Sequence, residues 1–148
     1  MKERFETFTV LIAKIGRSIR KIKNQRMAEH ALRSPQISCL YYLHLSDGLT
    51  ATDLCERCEE DKATISRSLD YLEENGYVLR DTKSTKNYKA PLALTEKGRK
   101  VGREIAEKID GVLEEVGRGL TEEERVIFYR SLSVIAEDLE RICKKSVK

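Results

Sequence analysis

The sequence predicts a mainly α-helical fold with one small β-hairpin, and three observations carry that expectation. Apolar residues recur at steps of three and four at both ends of the chain, as in Phe5, Phe8, Ile12, Ile15, Ile19 and Ile22, and again in Phe128, Leu132, Ile135, Leu139 and Ile142. Residues of the kind that start helices, namely Ser34, Thr50, Asp61, Thr95 and Thr121, stand just ahead of further apolar stripes. One stretch only, 77–94, abandons the helical period for β-branched, aromatic and leucine residues around a polar middle.

The first helix carries the 5–22 stripe, whose step suits helix-on-helix packing, while its other faces are basic. The second begins at Ser34-Pro35-Gln36, where Ser34 can accept from a free amide and Pro35 fits the first helical position. Its expected apolar face is Ile37, Leu40, Tyr41 and Leu45, and Asp47-Gly48 ends it. Thr50 caps a short third helix with Ala51, Leu54, Cys55 and Cys58 on one side, before the polar break Glu59-Glu60-Asp61. Asp61 caps a fourth, whose Ile65, Leu69 and Leu72 face inward and leave Ala63, Ser66, Arg67 and Asp70 outward. Asn75-Gly76 closes it, since both residues tolerate the left-handed conformation.

Tyr77–Asp81 and Tyr88–Leu94 then read as hairpin strands with the basic tip 82–87 between them, and Pro91, lacking an amide donor, belongs on an exposed edge. Thr95 opens a long fifth helix with the stripe Val101, Ile105, Ile109, Val112 and Val116. Thr121, followed by three glutamates in the dipole-favoured first turn, opens the sixth.

With 148 residues, 40% hydrophobic and 36% charged, the chain has room for one intertwined domain with long solvated helix faces, which excludes disorder along its whole length. No apolar run approaches a bilayer span and MKERFETF lacks a signal-peptide core, so a cytoplasmic protein without membrane partners is expected, its four cysteines kept as thiols. The net charge of +3 is unevenly spread. Residues 1–30 hold Lys2, Arg4, Lys14, Arg17, Arg20, Lys21, Lys23 and Arg26 against Glu3, Glu6 and Glu29, and residues 80–90 hold Arg80, Lys83, Lys86 and Lys89 against Asp81. Basic patches in separate segments fit a polyanion partner, although a lysine-rich loop also serves simply as a solvated loop.

A short helix, a tight polar break, a second helix and a basic hairpin make the outline of a winged helix-turn-helix. The alternative is a helical domain with an incidental hairpin.

The stretch DKATISRSLDYLEENGYVLRD, followed by LALTEKGRK, resembles the MarR family of bacterial and archaeal transcription regulators, whose wing ends in Leu-Thr-x-Lys-Gly, here Leu94-Thr95-Glu96-Lys97-Gly98. The resemblance runs over residues 5–145, because the first and the last two helices match the family's dimerisation elements in order and length. It implies a helical dimerisation region over 1–33 and 96–148 and a DNA-binding region over 34–95. It implies further a homodimer on a pseudopalindromic operator of double-stranded DNA, usually a repressor, released by a small ligand or by thiol oxidation.

Carried over residue by residue, the groove-facing positions fall on Ala63, Thr64, Ser66 and Arg67, with Lys62 suited to a phosphate, and Asp70 on the same outward face is counted with the DNA-binding residues. Arg67 is the expected base reader, because its planar fork can bond guanine O6 and N7 together; the alternative is an ion pair with Asp70 on a solvated face. The wing departs from the family, since its usual Asp-x-Arg falls on Lys86, Asn87 and Tyr88. Arg80, Lys83, Lys86, Asn87 and Lys89 remain as wing contacts to DNA, and Tyr88 can pack at the hairpin base. The family's effector crevice implies a small aromatic or amphipathic ligand near Arg17, Arg20, Tyr41, Tyr42 and His44, residues that otherwise read as core and surface groups. Phe5, Phe8, Ile12, Ile15, Leu132, Ile135, Leu139 and Ile142 are the expected dimer contacts.

Other chemistries find less support. Cys55 and Cys58 have half the spacing of a zinc site but lie on the apolar face of a helix, and His30, His44, Cys39 and Cys143 are distant in sequence, so no metal or cofactor is expected. A redox sensor needs a low-pKa thiolate, and the sequence shows none. Phosphate-cradling glycine loop, nucleophile elbow and His-Glu-x-x-His are all absent from the sequence, and no enzyme is expected. The rival functions are a winged-helix module for protein partners and a thiol-responsive regulator of the same fold.

Overall fold

The computed structural model describes residues 2–80 and 89–146. The elements follow the expected order: α1 (Lys2–Arg26), α2 (Ser34–Leu45), α3 (Ala51–Cys58), α4 (Lys62–Glu74), β1 (Val78–Arg80), β2 (Leu92–Leu94), α5 (Glu96–Val116) and α6 (Glu122–Ser146). Single 3-10 turns at Ala28–His30 and Gly117–Gly119 join α1 to α2 and α5 to α6. Among the described residues, no helix is long and apolar enough to cross a membrane. The chain divides into two compact units, Met1–Ile109 and Asp110–Lys148.

The first unit holds the core, and α2 is its centre, touching α1, α3, α4 and β2. That position corrects two expectations. The buried side of α2 is Ile37, Cys39, Leu40 and Leu43, whereas Leu45 stands 55% exposed and Tyr41 is half-buried. A helix packed on several sides has no single apolar stripe, so the step of three and four does not identify its buried residues. The cap residue is Arg33, one position earlier than Ser34: its backbone N–H donates to the Gln36 side chain at 2.9 Å, and Ser34 is a buried helical residue.

The α1–α2 connection is drawn into the core through Met27 and Leu32, both buried. Its far side meets α5, where Lys108 donates to the Arg26 carbonyl at 2.9 Å and to the Glu29 carboxylate, and His30 Nε2 lies 2.9 Å from Glu104. On α5 the expected stripe is buried at Val101 and Ile105, half-buried at Ile109 and Val112, and out in solvent at Val116. Gly102 lets α5 approach α2 closely: a Cβ there would lie 2.9 Å from His44 Cβ and 3.3 Å from the Leu40 carbonyl oxygen.

The second unit contains the end of α5 and all of α6. Thr121 caps α6 as expected, its N–H donating to the Glu124 carboxylate at 2.8 Å while Glu124 N–H returns a bond to Thr121 Oγ1 at 3.2 Å. No residue of α6 is buried. Phe128, Ile135, Leu139 and Ile142 are exposed and Leu132 is half-buried. In the first unit Phe5, Ile12 and Ile15 of α1 are likewise exposed, with Phe8 half-buried.

Candidate nucleic-acid interface

The interface is built from the caps outward. Thr50 and Asp53 satisfy each other at the start of α3, Thr50 N–H to Asp53 Oδ2 at 2.7 Å and Asp53 N–H to Thr50 Oγ1 at 3.2 Å. Helix α3 ends on Glu59 in the left-handed region, φ 53°, with Glu60 N–H returning to the Cys55 carbonyl at 3.3 Å. That reversal aims the chain so that Asp61 caps α4 by accepting from Thr64 N–H at 2.7 Å, a bond that also holds the Asp61 carboxyl below the ordinary carboxylate range. Arg57 donates to Ser46 Oγ at 3.2 Å and fastens α3 to the end of α2.

Helix α4 sits down on Ile65, Ser68, Leu69 and Leu72, all buried. Lys62, Ala63, Arg67 and Asp70 are exposed, and Thr64 and Ser66 are half-buried on the same outward side. Arg67 donates to Thr64 Oγ1 at 3.2 Å, which lays its guanidinium back over the first turn of the helix. The competing pair of Arg67 with Asp70 does not form. Asp70 is instead bound by Arg80 at 2.7 Å, and Arg80 Nε lies 2.9 Å from Glu73. Arg80 therefore clamps the base of the hairpin to the flank of α4.

The hairpin pairs antiparallel, Val78 with Leu94, Leu79 with Ala93 and Arg80 with Leu92. Of the expected strand residues, Tyr77 and residues 89–91 lie outside β1 and β2, while Asp81 and Tyr88 lie outside the described residues. Leu92 N–H also donates to the Leu49 carbonyl at 2.8 Å, docking the hairpin on the segment before α3. Lys89 is exposed where the chain enters β2; Lys83, Lys86, Asn87 and Tyr88 lie outside the described residues.

The wing's end gives Leu94-Thr95-Glu96-Lys97-Gly98 a physical reading. Leu94 is buried against β1; Thr95 Oγ1 donates to the Gly76 carbonyl at 2.6 Å and accepts from Gly98 N–H at 3.0 Å, capping α5 while tying it to the end of α4. Lys97 donates to the Asn75 carbonyl at 2.8 Å and stands 4.1 Å over the Tyr77 ring. At Gly98 a Cβ would lie 2.0 Å from the Tyr77 carbonyl oxygen, so only glycine fits.

The sequence profile of the MarR family matches residues 32–85, the segment that holds α2, α3, α4 and the first hairpin strand. A curated relative from Bacillus subtilis (strain 168), the uncharacterized HTH-type transcriptional regulator YfiV, is 28% identical over 111 residues, spanning 75% of this chain and 69% of that protein. The crystal structure of MarR is 27% identical with a TM-score of 0.74 and covers 93% of both chains. The chain is thus similar to the MarR family in its helix-turn-helix segment and to a solved MarR structure over most of its length. Staphylococcus aureus MepR, solved in complex with DNA, is 22% identical with a TM-score of 0.80 over 89% of this chain and 97% of that one, and shares the winged helix-turn-helix fold.

The residues expected at an effector site do not gather at one place. Tyr41 and Tyr42 form an edge-to-face pair with centroids 5.3 Å apart, each packed against the core from its own side of α2. His44 lines a different cleft of about 410 Å³ with Asp47, Pro91, Arg99 and Arg103, under the hairpin and beside the start of α5. Arg17 and Arg20 are exposed on α1 and do not line that cleft.

Among the described residues, the one convergence of metal-type side chains is Glu29, His30 and Glu104, which sequence reasoning missed because two distant segments supply it. Lys108 already occupies it as a cation, and its ammonium holds the Glu29 carboxyl below its usual range. Cys55 and Cys58 are not joined there by a histidine; both pack against the core, as their place on α3 predicts.

Proposed function

We propose that the protein is a homodimeric transcriptional repressor in which α4 reads the major groove of a pseudopalindromic operator, the hairpin rests on the DNA backbone, and a small ligand releases the complex. One observation carries the choice of base reader: Asp70, the acid one turn from Arg67 on the outward face of α4, is already engaged by Arg80, which leaves the exposed Arg67 fork to a guanine. The apolar residues left in solvent on α1 and α6 support a second copy as their cover.

Fluorescence anisotropy on the DNA flanking its own gene tests the division of labour. Arg67→Ala is expected to cost about 1–3 kcal/mol on the operator and to relax base preference, with Arg67→Lys failing to restore it. Lys89→Ala weakens operator and random DNA alike and lowers the salt slope by about one. Identical behaviour of both variants toward the two DNAs removes the assignment.

The cleft beneath the hairpin supports the effector reading, since His44, Arg99 and Arg103 offer cationic and aromatic partners to an aromatic carboxylate beside the apolar Leu43 and Pro91. A ligand seated there shifts the dimer only by its difference in affinity for the bound and free forms. An aromatic carboxylate that releases operator should lose at least severalfold in potency with Arg103→Ala; unchanged potency places the effector elsewhere.

A further inference from the structure

Helix α1 carries its charges differently from α6, the other helix of its length. Lys14, Arg17 and Lys21 follow one another at steps of three and four and so share one face, which Arg20 widens and Asn24 continues. All five residues are exposed. Ile12, Ile15 and Ile19 stand on the opposite side of the helix, the apolar side that the proposed homodimer covers. The cations therefore stay in solvent when the second copy docks.

No acid occurs in the chain between Glu6 and Glu29. Among the described residues, none of Lys14, Arg17, Arg20 and Lys21 takes part in an ion pair. Helix α6 shows the contrary arrangement of a solvated face: Arg125 lies 3.9 Å from Glu122, Lys144 lies 3.7 Å from Glu140, and Arg141 meets Asp138. On α1 the neighbours three and four residues away are like charges, which repel one another and weaken the helix. The crowding extends to Lys23, whose charge Arg20 also opposes. An anion that meets several of these charges at once relieves the repulsion.

The face is also fixed in place. Lys23 donates to Ser38 Oγ of α2 at 2.9 Å, and Met27, just past the end of α1, is buried in the core. Helix α1 is thereby tied to α2, against which α3 and α4 pack.

We propose that the basic face of α1 binds the phosphate backbone of duplex DNA flanking the operator. From Lys14 to Lys21 is about 10 Å along the helix axis, a length over which one strand of a duplex presents about three phosphates. Contacts of this kind hold the duplex without reading its sequence. A bilayer surface fits less well, because a helix lying on anionic lipid buries its apolar side, and on α1 that side is the one assigned to the second copy. The proposal deepens the operator-binding reading and rests on it for the DNA that α4 holds.

The test uses the DNA flanking the protein's own gene, trimmed to the shortest fragment the full-length protein binds, and the same fragment extended at both ends. Wild type should bind the extended fragment about tenfold more tightly than the trimmed one. Lys14→Gln, Arg17→Gln and Lys21→Gln combined should match wild type on the trimmed fragment and lose the gain on the extended one, the salt slope there falling by about 0.9 for each phosphate contact removed. Arg141→Gln, Lys144→Gln and Lys145→Gln combined remove the same charge from α6 and should keep the gain. A wild type that gains nothing from extension, an α1 variant that keeps the gain, or an α6 variant that loses it equally overturns the proposal. So does wild type that gains nothing from extension yet floats with vesicles of phosphatidylserine and phosphatidylcholine, which assigns the face to lipid. A wild type that prefers no sequence overturns the operator reading instead, and the length dependence on random duplexes, compared between wild type and the α1 variant, still decides the face.

Discussion

For the homodimer proposed above, Leu139→Glu is expected to give a monomer or an unfolded chain, read by sedimentation velocity at micromolar concentration. Helix α6 buries nothing within its own unit, and Leu139 is 49% exposed, Phe128 45% and Ile142 58%. Burying one such side chain fully is worth about 1.5–3 kcal/mol, so a face of several provides a strong drive for association. A carboxylate placed in the middle of that face would be desolvated without a partner and cancel the gain of several neighbours. Glu137→Gln, on the same helix but already exposed and polar, should leave the dimer intact. A wild-type monomer at that concentration removes the dimeric architecture.

Gly98→Ala is expected to destabilise the fold by about 3 kcal/mol or more, an overpacking cost at the upper end because a backbone oxygen blocks the methyl group. The oxygen is the Tyr77 carbonyl, 2.0 Å from the new Cβ, and it cannot swing aside as a side chain can. Moving α5 away would stretch the bonds from Thr95 to the Gly76 carbonyl and from Lys97 to the Asn75 carbonyl. Gly111 of the same helix is the control: nothing lies within 4 Å of a Cβ there, so Gly111→Ala should stabilise by about 0.5–1 kcal/mol through helix propensity. Thermal unfolding that moves the same way in both variants refutes the steric account.

What the sequence made legible was local. The caps at Thr50, Asp61 and Thr121 and the inward set Ile65, Leu69 and Leu72 depend on residues within one or two turns, and such patterns can be read along a chain. The reading of α2 misplaced Leu45 because a helix surrounded by neighbours buries residues the period does not mark. The rest hinged on distant encounters. Asp70 was weighed against Arg67 one turn away, whereas its partner is Arg80, across the end of α4 and the start of β1. Lys108 with Glu29 likewise leaves no spacing to recognise.

The clamp of Arg80 on Asp70 and Glu73 bears on how a salt titration of DNA binding is interpreted. These ion pairs lie near the surface, Asp70 57% and Glu73 40% exposed in their side chains, so added salt screens them as it screens contacts to phosphate. For the DNA binding proposed above, ionic strength is then expected to act twice, once by competing for the polyanion and once by weakening the clamp that holds the hairpin base to α4. The slope of log affinity against log salt is then expected to count more than released counterions, and a phosphate number taken from it directly to come out too high.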